Sequence, residues 1–204
     1  MDIKKVCYLV LRFVTMIYYG IFFPFKTVGR ENVPDGAAVI CANHSNASDP
    51  FFMAYCIPPR YHLCLMAKQE LFRNKILAFI FHAIGTFPVN RGAADMNAMK
   101  NALNCLKDGK KLGIFPEGTR TAEDGSVSPK AGAVRLAEKA GAPIVPIYIP
   151  RQKKMFKRMT IIVGEPYSVK KEKGKLSKDE LEQLADELMD KIARLGHTSS
   201  DKAA

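Results

Sequence analysis

Short apolar runs alternate along this chain with segments in which apolar residues recur every three or four positions. The runs have the length of buried strands, and the segments between them have the period of amphipathic helices. Strands that alternate with helices build an α/β domain with a largely parallel sheet. We therefore predict a mixed, mostly parallel sheet flanked by helices. The predicted strands are residues 37–42, 61–67, 86–92, 111–115, 143–150 and 159–163.

Start and stop signals set the bounds of the predicted helices. One helix is expected to run from Lys68 to Gly85, because glycine commonly follows the last turn of a helix. The last helix is expected to begin at Ser177, since Glu180 three residues later completes a capping box. Gly196 is expected to end that helix. These signals predict single, uninterrupted helices in both places.

The first 25 residues form the most apolar segment of the chain. The segment approaches the ~20 residues that a membrane-spanning helix needs, but Arg12 lies in its middle and lysines lie on both sides of it. Such a pattern favours a helix that lies in or dips into the membrane interface. A helix packed on the protein core is the alternative. The predicted organisation is a membrane-interacting helix at 1–26, a catalytic domain at 27–170, and a C-terminal helix with a polar tail at 171–204.

Polar side chains follow several of the predicted strands. His44 and Asp49 come after the first strand, Arg91 ends the third, and Glu117 and Arg120 come after the fourth. The carboxyl ends of parallel strands lie at one edge of the sheet, where open α/β proteins bind their ligands. We therefore expect these groups to converge in one cleft.

His44 and Asp49 have the chemistry of a base and its orienting carboxylate. Histidine is the side chain best suited to accept a proton near neutral pH, and a carboxylate on its other ring nitrogen fixes the tautomer. The two side chains can meet only if residues 45–48 form a bend rather than a helix. The alternative is that Asp49 only begins a helix, with Pro50 in its first turn.

Composition adds a requirement for an acidic partner. The formal net charge is +11 for 204 residues, which favours an anionic lipid, a membrane surface or a nucleic acid. No nucleic-acid-binding motif is present, so we expect no nucleic-acid partner. The number of cysteines is odd and none forms a CxxC pair, which argues for reduced thiols and against a metal site. A solvated basic face is one interpretation of this excess, and its members would include Lys107, Lys110, Lys111, Arg151, Lys153, Lys154, Lys157 and Arg158.

Four blocks of the sequence resemble the PlsC-type glycerolipid acyltransferases, the 1-acylglycerol-3-phosphate acyltransferases. The block from Asn43 and His44 to Asp49 is similar to the NHxxxxD motif of that family. The other similar blocks are residues 85–91, 115–120 and 144–150, and they stand in the family's order and spacing. Two departures are small: Thr121 stands where serine is common, and Pro88 interrupts the second block.

The resemblance implies a glycerol-3-phosphate acyltransferase-like fold and an acyl transfer to the sn-2 hydroxyl of 1-acylglycerol-3-phosphate, which yields phosphatidic acid. His44 would be the general base and Asp49 would orient it. No cofactor or metal is implied, because acyl-CoA or acyl carrier protein serves as the co-substrate. The protein would act at the cytoplasmic face of the cell membrane, bound to its anionic surface. The implied acceptor-binding residues are Lys68, Arg91, Glu117, Gly118, Thr119 and Arg120.

Several roles and functions stay open at this point. Glu117 would position the acceptor or hold Arg120, and backbone N–H groups around Gly118 would stabilise the thioester oxyanion. Another lysolipid is an alternative acceptor within the same family. A non-catalytic protein that binds anionic lipid is the alternative from a different class.

Overall fold

The computed structural model describes residues 3–90, 95–169 and 175–200. These residues form an α/β domain with a seven-stranded sheet and helices on both faces. The strands are β1 Phe25–Val28, β2 Ala38–Ala42, β3 Leu63–Lys68, β4 Phe87–Val89, β5 Lys111–Ile114, β6 Ile144–Tyr148 and β7 Met159–Val163. The helices are α1 Ile3–Phe22, α2 Asp49–Cys56, α3 Lys75–Ala83, α4 Met96–Lys107, α5 Gly132–Ala140 and α6 Lys178–Ser200.

The strand order is β1-β7-β6-β2-β5-β3-β4, and every neighbouring pair is parallel except β6 and β7. The mixed, mostly parallel sheet predicted from the sequence is therefore confirmed. Strands β2 to β6 all point the same way, so their carboxyl ends share one edge of the sheet. Strand β1 was not expected, because it is four residues long and directly follows the apolar run of α1.

Strand β2 lies at the centre of the core. All five of its residues are buried, as expected for a central strand covered on both faces. Val39 and Cys41 face the cluster formed with α4, α5 and α6, whereas Ile40 faces the cluster that includes α2. The end of β2, where the chain turns toward α2, is consequently held from both sides.

Helix boundaries agree with some sequence signals and not with others. The capping box is confirmed: the Glu180 N–H donates to Ser177 Oγ (3.2 Å), and the Ser177 N–H donates to Glu180 Oε2 (2.7 Å). The stop at Gly196 is wrong, because α6 continues to Ser200. A Cβ at Gly196 would lie 2.5 Å from the Tyr148 ring, so this glycine permits close packing against β6 rather than ending the helix.

The single helix predicted from Lys68 onward is divided in two. A 3₁₀ helix spans Gln69–Arg73, and α3 begins after Asn74. The Asn74 side chain accepts hydrogen bonds from the N–H groups of Ile76 and Leu77, at 3.0 and 3.1 Å. Asparagine is a strong N-cap, so it starts a new helix within the apolar pattern.

Helix α1 packs one face on the domain. Tyr8 is buried and its ring centroid lies 4.6 Å from that of His62. Arg12 is also buried, and its guanidinium donates to the carbonyl oxygens of Ala54 and Ile57 (2.8 Å to Ile57) at the end of α2. In the part of the chain that is described, no helix has the length and apolar character required to cross a bilayer. Arg12 therefore binds the α/β domain and does not mark an interfacial face of the helix.

Lys111 is buried and is not part of a solvated basic face. Its side chain is fully buried at the start of β5. Its Nζ donates to the carbonyl oxygens of Pro34 (2.5 Å) and Gly36, and lies 4.4 Å from the centroid of the Tyr61 ring. Burial lowers the pKa of this ammonium. The basic surface of the protein is smaller than composition suggests.

Candidate active site

His44 and Asp49 meet in the loop between β2 and α2. His44 Nδ1 lies 3.0 Å from Asp49 Oδ2, and both side chains are buried. The bend required between them is present, since residues 43–46 are outside any helix and Asp49 is the first residue of α2. Asp49 thus begins the helix and contacts the imidazole at the same time.

Three hydrogen-bond donors converge on Asp49 Oδ2. Besides His44, the N–H groups of Ser45 and Asn46 donate to it at 2.6 and 2.7 Å. The ammonium of Lys153 lies 2.7 Å from the other oxygen, Oδ1. Burial acts to raise the pKa of Asp49, but the His44 hydrogen bond, the Lys153 charge and the Asn46 N–H outweigh it and hold the pKa below its ordinary value.

The ionised Asp49 determines the tautomer of His44. A carboxylate only accepts hydrogen bonds, so in the neutral ring the proton is on Nδ1 and the lone pair is on Nε2. The Phe115 ring stacks on the imidazole, with 4.2 Å between centroids and 21° between planes. These contacts orient the ring so that, in its neutral form, Nε2 carries the lone pair that a general base requires.

The backbone of His44 is anchored by the loop that follows β5. The His44 N–H donates to Glu117 Oε2 (2.5 Å), and the His44 carbonyl oxygen accepts from the Thr121 N–H (2.8 Å). The neighbouring Asn43 exchanges two hydrogen bonds of 2.8 Å with the backbone of Ile149, just beyond β6. Loops at the ends of three adjacent strands therefore fix the base.

Glu117 differs from both roles expected for it. The carboxylate is 3% exposed and binds groups of the protein: Arg151 at 2.5 Å and the Thr121 hydroxyl at 3.1 Å, both through Oε1. Its ion-pair partner among the described residues is Arg151, not Arg120. Arg151 in turn binds Asp124 (2.6 Å) and the Thr121 hydroxyl (2.8 Å). Glu117 and Arg151 thus form a buried support beneath the His44 loop.

Arg151 and Lys153 were assigned from the sequence to a basic surface patch, and that assignment is wrong. Their side chains are 7% and 3% exposed, and each pairs with a carboxylate of the site. One signal in the sequence points to them: both directly follow the strand β6, at the edge where His44 and Glu117 lie. The hydroxyl of Thr121, where the family often has serine, is part of the same network.

The predicted acceptor-binding residues occupy the same edge of the sheet. Lys68 ends β3, is half-exposed and lies 3.2 Å from Glu70. Thr119 and Arg120 are exposed after β5. Arg91 lies outside the described residues. Lys68, at the end of β3, and Arg120, after β5, therefore lie at the same edge of the sheet as the dyad.

Gly118 has a structural requirement of its own. Its φ is +67°, and a Cβ there would lie 3.0 Å from the Lys130 side chain. Only glycine adopts this conformation without strain. Its N–H donates to the Phe115 carbonyl oxygen (3.0 Å), so that N–H closes the turn and does not point to an oxyanion as expected.

An apolar cavity of about 280 Å³ lies beside the dyad. It includes Ala47 and Pro50 of the His44–Asp49 loop and Phe115, whose ring stacks on His44. Its far wall is formed by α1, with Tyr8 and Leu11, and other parts come from α2, β3 and α3. The cavity has the apolar lining that a hydrocarbon chain requires.

The described residues contain no group of three histidine, cysteine or acidic side chains placed to hold a metal ion. The five cysteines are unpaired and four of them are buried. Burial raises the pKa of Cys56 to about 12, so this thiol is protonated and unreactive at neutral pH.

Comparisons with known proteins identify the family of this chain. The acyltransferase family model matches residues 24–150. A 1-acyl-sn-glycerol-3-phosphate acyltransferase of Bacillus subtilis (strain 168) is 34% identical over 197 residues, 94% of this chain and 96% of that protein. One from Streptococcus pneumoniae is 34% identical over 110 residues, 53% of this chain and 40% of that protein.

A solved structure supports the fold. The 1-acyl-sn-glycerophosphate acyltransferase PlsC of Thermotoga maritima superposes with a TM-score of 0.66 at 22% identity, over 94% of this chain and 81% of that one. The extent of the family match and the near-complete overlap with the Bacillus relative decide the assignment. The chain belongs to the PlsC-type glycerolipid acyltransferase family.

Proposed function

We propose that this protein transfers an acyl chain from acyl-CoA or acyl carrier protein to the sn-2 hydroxyl of 1-acylglycerol-3-phosphate, which yields phosphatidic acid. One observation carries the proposal: a buried His44–Asp49 pair lies beside an apolar cavity, at the edge of the sheet where Lys68 and Arg120 also follow their strands. The relatives that share the family are named for this reaction.

His44 and Asp49 each have one role in the proposed reaction. His44 Nε2 accepts the proton of the acceptor hydroxyl as its oxygen attacks the thioester carbonyl. Collapse of the tetrahedral intermediate breaks the C–S bond, and the imidazolium returns the proton to the departing thiolate. Asp49 stabilises the imidazolium while it exists. The alcohol itself is the nucleophile, so no covalent acyl-enzyme is required.

The apolar cavity is the proposed place of an acyl chain, and Lys68 and Arg120 are the proposed phosphate ligands. Guanidinium and ammonium groups both bind phosphate oxygens. Arg91 is proposed for the same role from its position after β4. Glu117 is instead proposed to position His44, because its carboxylate is bound to protein groups.

Loss of either phosphate ligand is expected to act on acceptor binding. Lys68→Met and Arg120→Met should each raise the KM for 1-acylglycerol-3-phosphate by about 10- to 100-fold, because a hydrogen bond to a charged group contributes about 1.5–3 kcal/mol. kcat at saturation should change little. The assay measures thiol release with the acceptor concentration varied.

Lys139→Met is the matched control, since Lys139 is exposed on α5 at the opposite edge of the sheet. A panel of acceptors with the wild-type protein completes the test. Neutral monoacylglycerol should be a poor acceptor. If both variants keep the wild-type KM, phosphate recognition by these residues is refuted. If the wild-type protein prefers another lysolipid, the proposed acceptor is refuted.

We also propose that the protein docks on the cytoplasmic face of the cell membrane through α1. The side of α1 opposite Arg12 carries exposed apolar residues, and α3, which contacts α1, carries more. The rings of Phe22 and Phe156 extend this surface, with centroids 5.8 Å apart. An exposed apolar patch of this kind is typical of a membrane-binding face. Its members on α1 and α3 are Val10, Phe13, Val14, Ile17, Ile21, Ile76 and Phe79.

Charges placed on this face should prevent docking. In Phe13→Glu/Ile17→Glu, the fraction bound to vesicles that contain phosphatidylglycerol is expected to fall at least tenfold, since burying each apolar side chain contributes about 1.5–3 kcal/mol. Co-sedimentation measures the bound fraction. Val127→Glu in an exposed loop is the control. Unchanged sedimentation of the double variant would refute docking through α1.

A further inference from the structure

Lys153 has an unusual environment for a lysine. Its side chain is 3% exposed, although lysine is rarely buried without a partner. Its ammonium lies 2.7 Å from Asp49 Oδ1, and it donates to Ser45 Oγ (3.0 Å) and the Pro150 carbonyl oxygen (2.8 Å). One carboxylate in ion-pair contact and two hydrogen-bond acceptors thus surround the ammonium. The site is built around this charge.

The charged groups near the imidazole of His44 come from several elements. Asp49 begins α2, Glu117 follows β5, and Arg151 and Lys153 follow β6. These four side chains are nearly inaccessible to solvent, and they comprise two carboxylates and two cations. Asp124, half-exposed at the rim, binds Arg151, and Tyr19 of α1 faces Asp49 as a neutral phenol. The buried set is therefore neutral overall when His44 is neutral.

We propose that Lys153 is a positioning residue that balances the charge of Asp49 and thereby favours the neutral form of His44, which can act as a base. The proposal rests on the acyl transfer proposed above. A carboxylate alone on Nδ1 attracts a second proton to the ring, because the opposite charge stabilises the imidazolium. Lys153 offsets that attraction from the far oxygen of the same carboxylate. It also holds Ser45 and the loop after β6 against each other.

The sign of the expected change follows from this charge count. Without Lys153 the buried set carries one excess negative charge, which favours the protonated ring. The titration midpoint of His44 should then move to higher pH by about one unit, the lower end of the range for a nearby charge. The acid limb of kcat/KM should move upward by the same amount.

The test compares Lys153→Met with Lys153→Arg. The His44 ring resonance, assigned by its absence in His44→Ala, is titrated by NMR in the full-length protein. The midpoint should rise by about one pH unit in Lys153→Met and stay within about 0.3 units of wild type in Lys153→Arg, which keeps the charge. Lys154→Met, which removes an exposed charge from the same loop, is the matched control and should leave the midpoint unchanged.

Two further arms keep the result decisive. Lys153→Gln removes the charge but keeps donors for Ser45 and Pro150, and it replaces Lys153→Met if that variant does not fold. If both neutral variants titrate with the wild-type midpoint while their plateau rates fall, Lys153 has only a structural role and the proposal is refuted. The NMR titration needs no turnover. If the titration midpoint of His44 rises in Lys153→Met but the wild-type protein forms no phosphatidic acid, the role of Lys153 is supported and the proposed acyl transfer is refuted.

Discussion

In His44→Ala, kcat for acyl transfer is expected to fall by about 10²- to 10⁴-fold, the usual contribution of a positioned general base. The loss should appear in kcat rather than in KM, because Lys68 and Arg120 are on other loops and are unchanged. The apolar cavity also keeps its lining. The measurement is thiol release from acyl-CoA with 1-acylglycerol-3-phosphate at saturation.

The control for this variant is His197→Ala. His197 is exposed on α6, so its loss removes an imidazole without touching the site. It should keep the wild-type rate. A His44→Ala protein that is folded and keeps more than about a tenth of the wild-type kcat would contradict the role of His44 as base.

Arg151→Met is expected to have the largest effect on stability. The guanidinium is the cation paired with the buried Glu117, and it also binds the Thr121 hydroxyl and the His44 carbonyl oxygen, at 2.8 and 3.4 Å. Removing it leaves a buried carboxylate without its partner, which costs about 3–5 kcal/mol. Urea unfolding followed by circular dichroism measures the difference. Activity should fall as well, because Glu117 also anchors the His44 N–H.

A double variant separates the ion pair from its packing. In Arg151→Met/Glu117→Gln both charges of this buried pair are removed together, so much of the stability lost in Arg151→Met should return. Lys157→Met, an exposed change in the same loop, should lie within about 0.5 kcal/mol of wild type. An Arg151→Met protein as stable as Lys157→Met would show that the buried pair does not hold the loop.

Most of the sheet could be predicted because its strands are unusually apolar. The run 37–42 is buried on both sides as β2, and such runs have a strong signal. Strand β1 could not be separated from α1, since both are apolar and joined within two residues. Gly196 was misjudged for a different reason: a glycine that ends a helix and one that admits a neighbouring ring look alike in sequence. Only the contact with Tyr148 distinguishes them.

The part of the candidate site that could be predicted is the part in which the residue types themselves indicate the chemistry. His44 and Asp49 are five positions apart after a strand, and the structure brings them within 3.0 Å. The burial of the supporting cations was not predictable, because Arg151 and Lys153 stand in a run of basic residues typical of a solvated surface, although their position after β6 places them at the edge of the site. Burial decides their role, and burial depends on which loops meet. Glu117 could not be paired correctly until Arg151 was placed beside it.

The central claim is that this protein forms phosphatidic acid from 1-acylglycerol-3-phosphate. The most direct measurement is mass spectrometry of the lipid produced by the purified protein, supplied with an isotope-labelled acyl-CoA or acyl carrier protein thioester. We predict phosphatidic acid that carries the labelled chain at sn-2 with the wild-type protein, and none above background with His44→Ala. Absence of labelled phosphatidic acid with either donor, or equal amounts from both proteins, would contradict the account.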